Sequence, residues 1–248
     1  MTESVAQTPI FQRPPFSLTA TLFWSLFVGA MFVVIQTGVA FAYLWVGDSS
    51  LTLREASEQM SRAVQNGIMV SLMTLATAFA CGGLVLWLAH WRSGSMRDYL
   101  ALKTASLKQL ALWIVALLVF SFLSNYITAE LDREVVTDFV RELYDHAGNI
   151  YLLAIAIVIA APIFEELFFR GFMFAGIANS RLGVIGAILI TALVWTVIHG
   201  QYDWYTRSQI FLIGILFGAA RARSGSLLPS VLMHALMNGL ALAEVGLG

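Results

Sequence analysis

The sequence predicts an all-α fold, a polytopic transmembrane bundle of about seven helices, and two observations carry that prediction. Of the 248 residues, 59% are hydrophobic and 12% charged, with a mean hydropathy of +0.79. A soluble domain carries about 25% charged residues, so the apolar excess is too large to be core alone. The second observation is spacing: apolar runs long enough to span about 30 Å of hydrocarbon follow one another through most of the chain.

Residues 1–16 are mostly polar, carry Pro9, Pro14 and Pro15, and lack the basic, apolar and small-residue order of a cleaved export signal. They read as a short disordered tail. The runs then fall at Phe16–Val46, Gly67–His90, Leu110–Ile127, Ile150–Ala178, Val184–His199, Ile210–Ala222 and Leu227–Gly246. Residues 17–149 form a first group of scaffold helices, with almost no ionisable residue inside a span. Residues 150–248 form a second group whose spans contain several. Between the groups, the segment from Glu130 to Asp145 holds six acidic residues and two arginines. Its Leu131, Val135, Phe139 and Leu143 recur every fourth residue, the spacing of a short amphipathic helix lying on the bilayer.

With the N-terminus inside, eight basic residues fall in inner connections (Arg13, Arg92, Arg97, Lys103, Lys108, Arg181, Arg221, Arg223) and five in outer ones (Arg54, Arg62, Arg133, Arg141, Arg207). Basic residues stay cytoplasmic, so the N-terminus is expected inside. A net charge of −1 removes the electrostatic basis for nucleic acid as a partner. The lone cysteine, Cys81, sits in an apolar run and reads as a small packed hydrophobe, with no disulfide or CxxC pair. His90 and His146 lie at a span edge and in the acidic loop and read as solvated.

Charged side chains at bilayer depth cost about 2.5–3.5 kcal/mol each on insertion scales, so each needs a partner or a task. The fourth run carries three: Glu165, Glu166 and Arg170. Glu166 and Arg170 are four apart with the acid first, the better orientation for an ion pair on one helix face. Glu165 is turned about 100° away and is left for another helix or for water. In the fifth run Trp195 and His199 share a face; in the last, His234 and Asn238 do. Counted from the connection at Asn179–Gly183, Glu165 and His199 both lie roughly 20–24 Å along antiparallel helices, and His234 and Asn238 reach roughly 10–17 Å. One carboxylate, two imidazoles and one carboxamide can therefore converge. Gly214 and Gly218 in the sixth run form a small-xxx-small pattern that lets backbones approach.

The ordered set Glu165-Glu166-xxx-Arg170, then an aromatic-xxx-His ending at His199, then His234-xxx-Asn238, resembles the CPBP family of intramembrane proteases, which includes the type II CAAX prenyl endopeptidases and Abi-like bacterial relatives. The resemblance covers the last hundred residues, making 150–248 the expected catalytic core. It implies an intramembrane endopeptidase acting on a membrane-associated protein or peptide. Carried over by position, Glu165 would activate water, His199 would orient it or accept its proton, and His234 with Asn238 would stabilise the oxyanion. Glu166 and Arg170 would hold the motif helix. Trp195 stands where phenylalanine is commoner in the family, a change expected to alter pocket shape more than chemistry. Both metal-dependent and metal-free mechanisms have been proposed in the family. Glu165, His199 and His234 have the donor count of a hydrolytic zinc site, but the HExxH string is absent and the metal-free reading is preferred, with no cofactor required. Expected partners are the lipid bilayer and a peptide or membrane-anchored substrate, in a bacterial inner membrane. Buried carboxylates and histidines also serve proton relays, so a proton-coupled transporter is an alternative, as is a non-catalytic scaffold or bacteriocin immunity protein.

Overall fold

The computed structural model describes residues 15–63 and 65–247. The expected tail up to residue 14, with Arg13, lies outside them. Phe16, read as the tail's end, is buried between the rings of Tyr99 and Phe172, with centroids at 5.6 and 5.2 Å.

Among the described residues there are ten helices and no strand. The apolar runs become α1 (Leu18–Gly47), α3 (Gly67–Ser93), α5 (Leu107–Glu130), α7 (Ile150–Ala178), α8 (Gly183–Ile198), α9 (Trp204–Ser224) and α10 (Leu228–Leu247). Three shorter helices lie in connections: α2 (Leu53–Ala63), α4 (Met96–Tyr99) and α6 (Asp138–Asp145). By length and composition, α1, α3, α5, α7 and α10 are each able to cross a membrane. The other two differ for visible reasons. Helix α8 has only 16 residues, about 24 Å of rise, and α9 carries Arg207, Arg221 and Arg223.

The boundaries follow local chemistry. Ser17, Asn66, Ser106 and Asp203 each accept a backbone N–H of the first turn of α1, α3, α5 and α9, satisfying donors that a helix start leaves open. Helices α3 and α9 end on Gly94 and Gly225 at φ 66° and 65°, a left-handed conformation that a side chain resists.

Helix α7 is the most deeply buried of the five long apolar helices and packs against α3, α8 and α10. Its aromatic half, Phe164 to Phe174, forms much of the core with Phe16, Tyr99, Trp195 and Phe217. Helices α8 and α9 lie close because Gly214 and Gly218 face Ala192 and Ile188: a Cβ at either glycine would stand 3.1–3.2 Å from those side chains. Cys81 is buried, its thiol 3.9 Å from the Val28 carbonyl.

The acidic connection differs from its expected form. Residues 131–137 are a turn and irregular chain, and only Asp138–Asp145 is helical. Leu131 is exposed, whereas Leu143 is buried with Leu153 and Leu242. The four-residue recurrence runs across the end of α5, so its members do not share one face; α6 folds onto the bundle and covers α10.

Candidate active site

The site is built on α7, which is not a uniform α-helix. Two π-helical turns, Ile155–Ala160 and Leu167–Met173, flank the α-helical segment Ala161–Glu166. Such widened turns are rare and concentrate at functional sites. In the first of them the Ala161 N–H bonds the carbonyl five residues back, at Ala156. The next carbonyl in that register, Ile157, would need the N–H that Pro162 lacks. The Asn238 side-chain amide donates to it instead, at 2.8 Å, tying α10 to α7 about two turns before the two glutamates.

The two glutamates point to different surroundings. Glu166 is fully buried and its Oε1 accepts from Arg170 Nη1 at 2.8 Å and meets His234 Nδ1 at 3.0 Å. Arg170, also fully buried, donates to the Gly214 carbonyl, and its guanidinium lies 4.7 Å from the Trp195 ring centroid. One carboxylate thus joins α7 to α10, and one arginine joins it to α8 and α9. An Nδ1 held by a carboxylate leaves the Nε2 of His234 for other work.

Glu165 is half-buried on the wall of a cavity of about 400 Å³, which His199, His234, Asn238 and Trp195 also line. Its Oε2 accepts the indole N–H of Trp195 at 2.6 Å. The Trp195 carbonyl in turn holds His199 Nδ1 at 2.7 Å. Since a carbonyl only accepts, Nδ1 carries the proton, and the neutral ring has its lone pair on Nε2. Trp195 also meets both imidazoles edge-on, with centroids 5.0 Å from His199 and 5.3 Å from His234. This changes the reading of Trp195. Its indole N–H is a donor that phenylalanine lacks, and it acts on the candidate base itself as well as on pocket shape.

His199 is the residue after α8, at φ −83° and ψ 49°, where the chain turns towards Tyr202. The Tyr202 ring stacks on His199 at 6.1 Å, and burial pushes its phenol up to about 12, so it stays a neutral donor. His90 and His146 are exposed, apart from this cavity.

As for a metal, both Nδ1 atoms are engaged by protein groups and Glu165 by an indole. Among the described residues, no three His, Cys, Asp or Glu side chains are grouped so as to hold an ion.

Residues 147–240 match the family of Type II CAAX prenyl endopeptidase Rce1-like proteins. Helices α7 to α9, most of α10, and Glu165, Glu166, Arg170, Trp195, His199, Tyr202, His234 and Asn238 lie within that stretch. Two bacterial relatives are similar. An uncharacterized 24.3 kDa protein of Escherichia coli is 31% identical over 128 residues, 49% of this chain and 58% of the relative. The UPF0177 protein YxdF of Lactococcus lactis is 22% identical over 161 residues, 62% of this chain and 86% of the relative. The match therefore takes in less than two thirds of the E. coli protein. No solved structure matches the chain. The chain is an integral membrane protein of all-helical, polytopic architecture whose residues 147–240 are similar to type II CAAX prenyl endopeptidase (Rce1-like) proteins.

Proposed function

We propose that the protein is an intramembrane endopeptidase of a bacterial inner membrane, with its N-terminus in the cytoplasm, that uses Glu165 as general base without a metal. The observation that carries the reading is the Trp195–Glu165 hydrogen bond at the wall of a cavity shared with His199, His234 and Asn238. Glu165 takes a proton from water while the water oxygen bonds to the peptide carbonyl carbon. The electron pair of the C=O moves to its oxygen, and donors placed there are most effective in a dry site. When doubly protonated, with one N–H on Glu166, His234 offers its Nε2–H to that oxygen beside the Asn238 amide hydrogen not used on Ile157. The C–N bond then breaks, the amine nitrogen taking the proton from Glu165, with the lone pair of His199 orienting the water. Among the described residues no three His, Cys, Asp or Glu side chains are grouped so as to hold an ion, which supports the metal-free form.

The test is turnover of a peptide library by purified protein in detergent, with and without chelator. Cleavage is expected in both, and Glu165→Gln is expected to lower kcat by about 10²–10⁴-fold, the usual worth of a positioned base. Wild-type turnover by Glu165→Gln would overturn the proposal.

A further inference from the structure

Helix α5 is apolar along most of its length, yet Ser121, Ser124, Asn125 and Thr128 recur at i, i+3, i+4 and i+7 and so lie on one face. Along that face Thr128 is buried, Ser121 and Ser124 are half-buried and Asn125 is exposed. Ser121, Ser124 and Asn125 line the cavity that holds Glu165, and Thr128 lines the polar vestibule that continues it, of about 620 Å³. Thr128 is fixed there by Tyr205 Oη at 2.9 Å and by Gln209 Nε2 at 3.0 Å. Gln201, Thr206 and Gln209 belong to both spaces, together with Val135, Val136 and Phe139, so the two spaces adjoin between Glu165 and the end of the bundle formed by the 131–137 connection and the start of α9, with polar and apolar groups side by side. The lining residues of α3, α5 and α9 come from the halves of those helices nearest that end, and α10 adds Asn238, Ala241 and Glu244 from the same half, with His234 and Met237 deeper.

The two ends of the bundle differ in charge. The end where α3 meets α5 and α7 meets α8 carries Arg92, Arg97, Lys103, Lys108 and Arg181 against Asp98. The end with the vestibule carries six acidic residues between Glu130 and Asp145 against Arg133 and Arg141, and fewer basic residues in all than the other end. Basic connections stay cytoplasmic, which puts the vestibule on the extracytoplasmic side.

We infer that the α5 stripe is the binding wall for an extended, unprenylated peptide segment that enters from the extracytoplasmic face; this rests on the endopeptidase reading. The Thr128 hydroxyl is taken up by the Ser124 carbonyl, Tyr205 and Gln209, so the stripe from Ser121 to Asn125, about 6 Å long, is the part that meets about two residues of extended chain. The hydroxyls of Ser121 and Ser124 and the carboxamide of Asn125 both donate and accept, matching the alternating N–H and C=O of a peptide backbone. An isoprenoid offers neither, and would strip water from these groups without replacing it.

Two measurements test this. In intact cells, Asn125→Cys is expected to react with a membrane-impermeant maleimide added outside, against a silent background from buried Cys81, and excess substrate peptide should block the reaction. With purified protein, the double change Ser124→Ala with Asn125→Ala is expected to raise KM for an unprenylated peptide about tenfold, with kcat within about twofold. Labelling only after the cytoplasmic face is opened, with cleavage intact, overturns the inference and leaves the endopeptidase reading standing. So does cleavage that requires a prenyl group, or a fall in kcat at unchanged KM. Absence of all cleavage by the wild type overturns both.

Discussion

Trp195 makes three contacts that no spacing argument separates: its indole N–H holds Glu165, its carbonyl holds His199, and its ring packs against both imidazoles and under Arg170. Hydrogen bonds to charged groups contribute about 1.5–3 kcal/mol. If the bond holds Glu165 in its reactive pose, Trp195→Phe should lower kcat by about 10- to 100-fold with KM little changed, measured on the same peptide as wild type. A fall confined to KM would mean that the ring, not its N–H, is what matters. The types and order of Glu165, Glu166, Arg170, His199, His234 and Asn238 were legible in the sequence because charge inside an apolar run stands out. Their partners were not. That His234 meets Glu166, and that Asn238 spends one N–H on Ile157, depends on the rotation of α10 about its axis. Spacing within one helix does not report that rotation.

At the level of elements, long apolar runs are read easily because the period needs no partner, and each of the seven became a helix. Helix α2 escaped that reading because it is short and polar. Its signature lies in Thr52 and Glu55, three residues apart, which bond reciprocally: Thr52 N–H to Glu55 Oε2 at 2.9 Å and Glu55 N–H to Thr52 Oγ1 at 3.3 Å, a capping box. Helix α9 begins with a similar device. The Thr206 backbone N–H, followed by the hydrogen bond with its side chain and the nearby Arg133, holds the Asp203 carboxyl below its ordinary value. A carboxylate lowered in the folded state stabilises above its unfolded value, about 3.9, and loses that contribution as pH falls through the folded one. Asp203→Ala should cost about 1 kcal/mol, the usual worth of a helix cap. In thermal unfolding in detergent, its deficit against wild type should be full at pH 7 and shrink below about pH 4. A deficit independent of pH would assign the loss to packing instead of charge.

Across the whole molecule, the buried group of Glu166, Arg170 and His234 connects four helices through one carboxylate and one guanidinium, both fully buried. Removing one member of a buried ion pair strands the other, at about 3–5 kcal/mol, whereas replacing both with apolar groups is far milder. Arg170→Met should therefore unfold at a clearly lower temperature than wild type, and Glu166→Leu with Arg170→Met should recover part of the loss; a double variant worse than the single would mean that His234 depends on Glu166 more than Arg170 does. The absent hydrogen on Pro162 reaches further, into biogenesis. Helix α7 leaves the ribosome well before α10, and until the last helix arrives the Ile157 carbonyl has no donor, a state that costs several kcal/mol in hydrocarbon. A form that ends before Asn238 keeps that acceptor open, so the last helix closes a bond that α7 cannot close by itself.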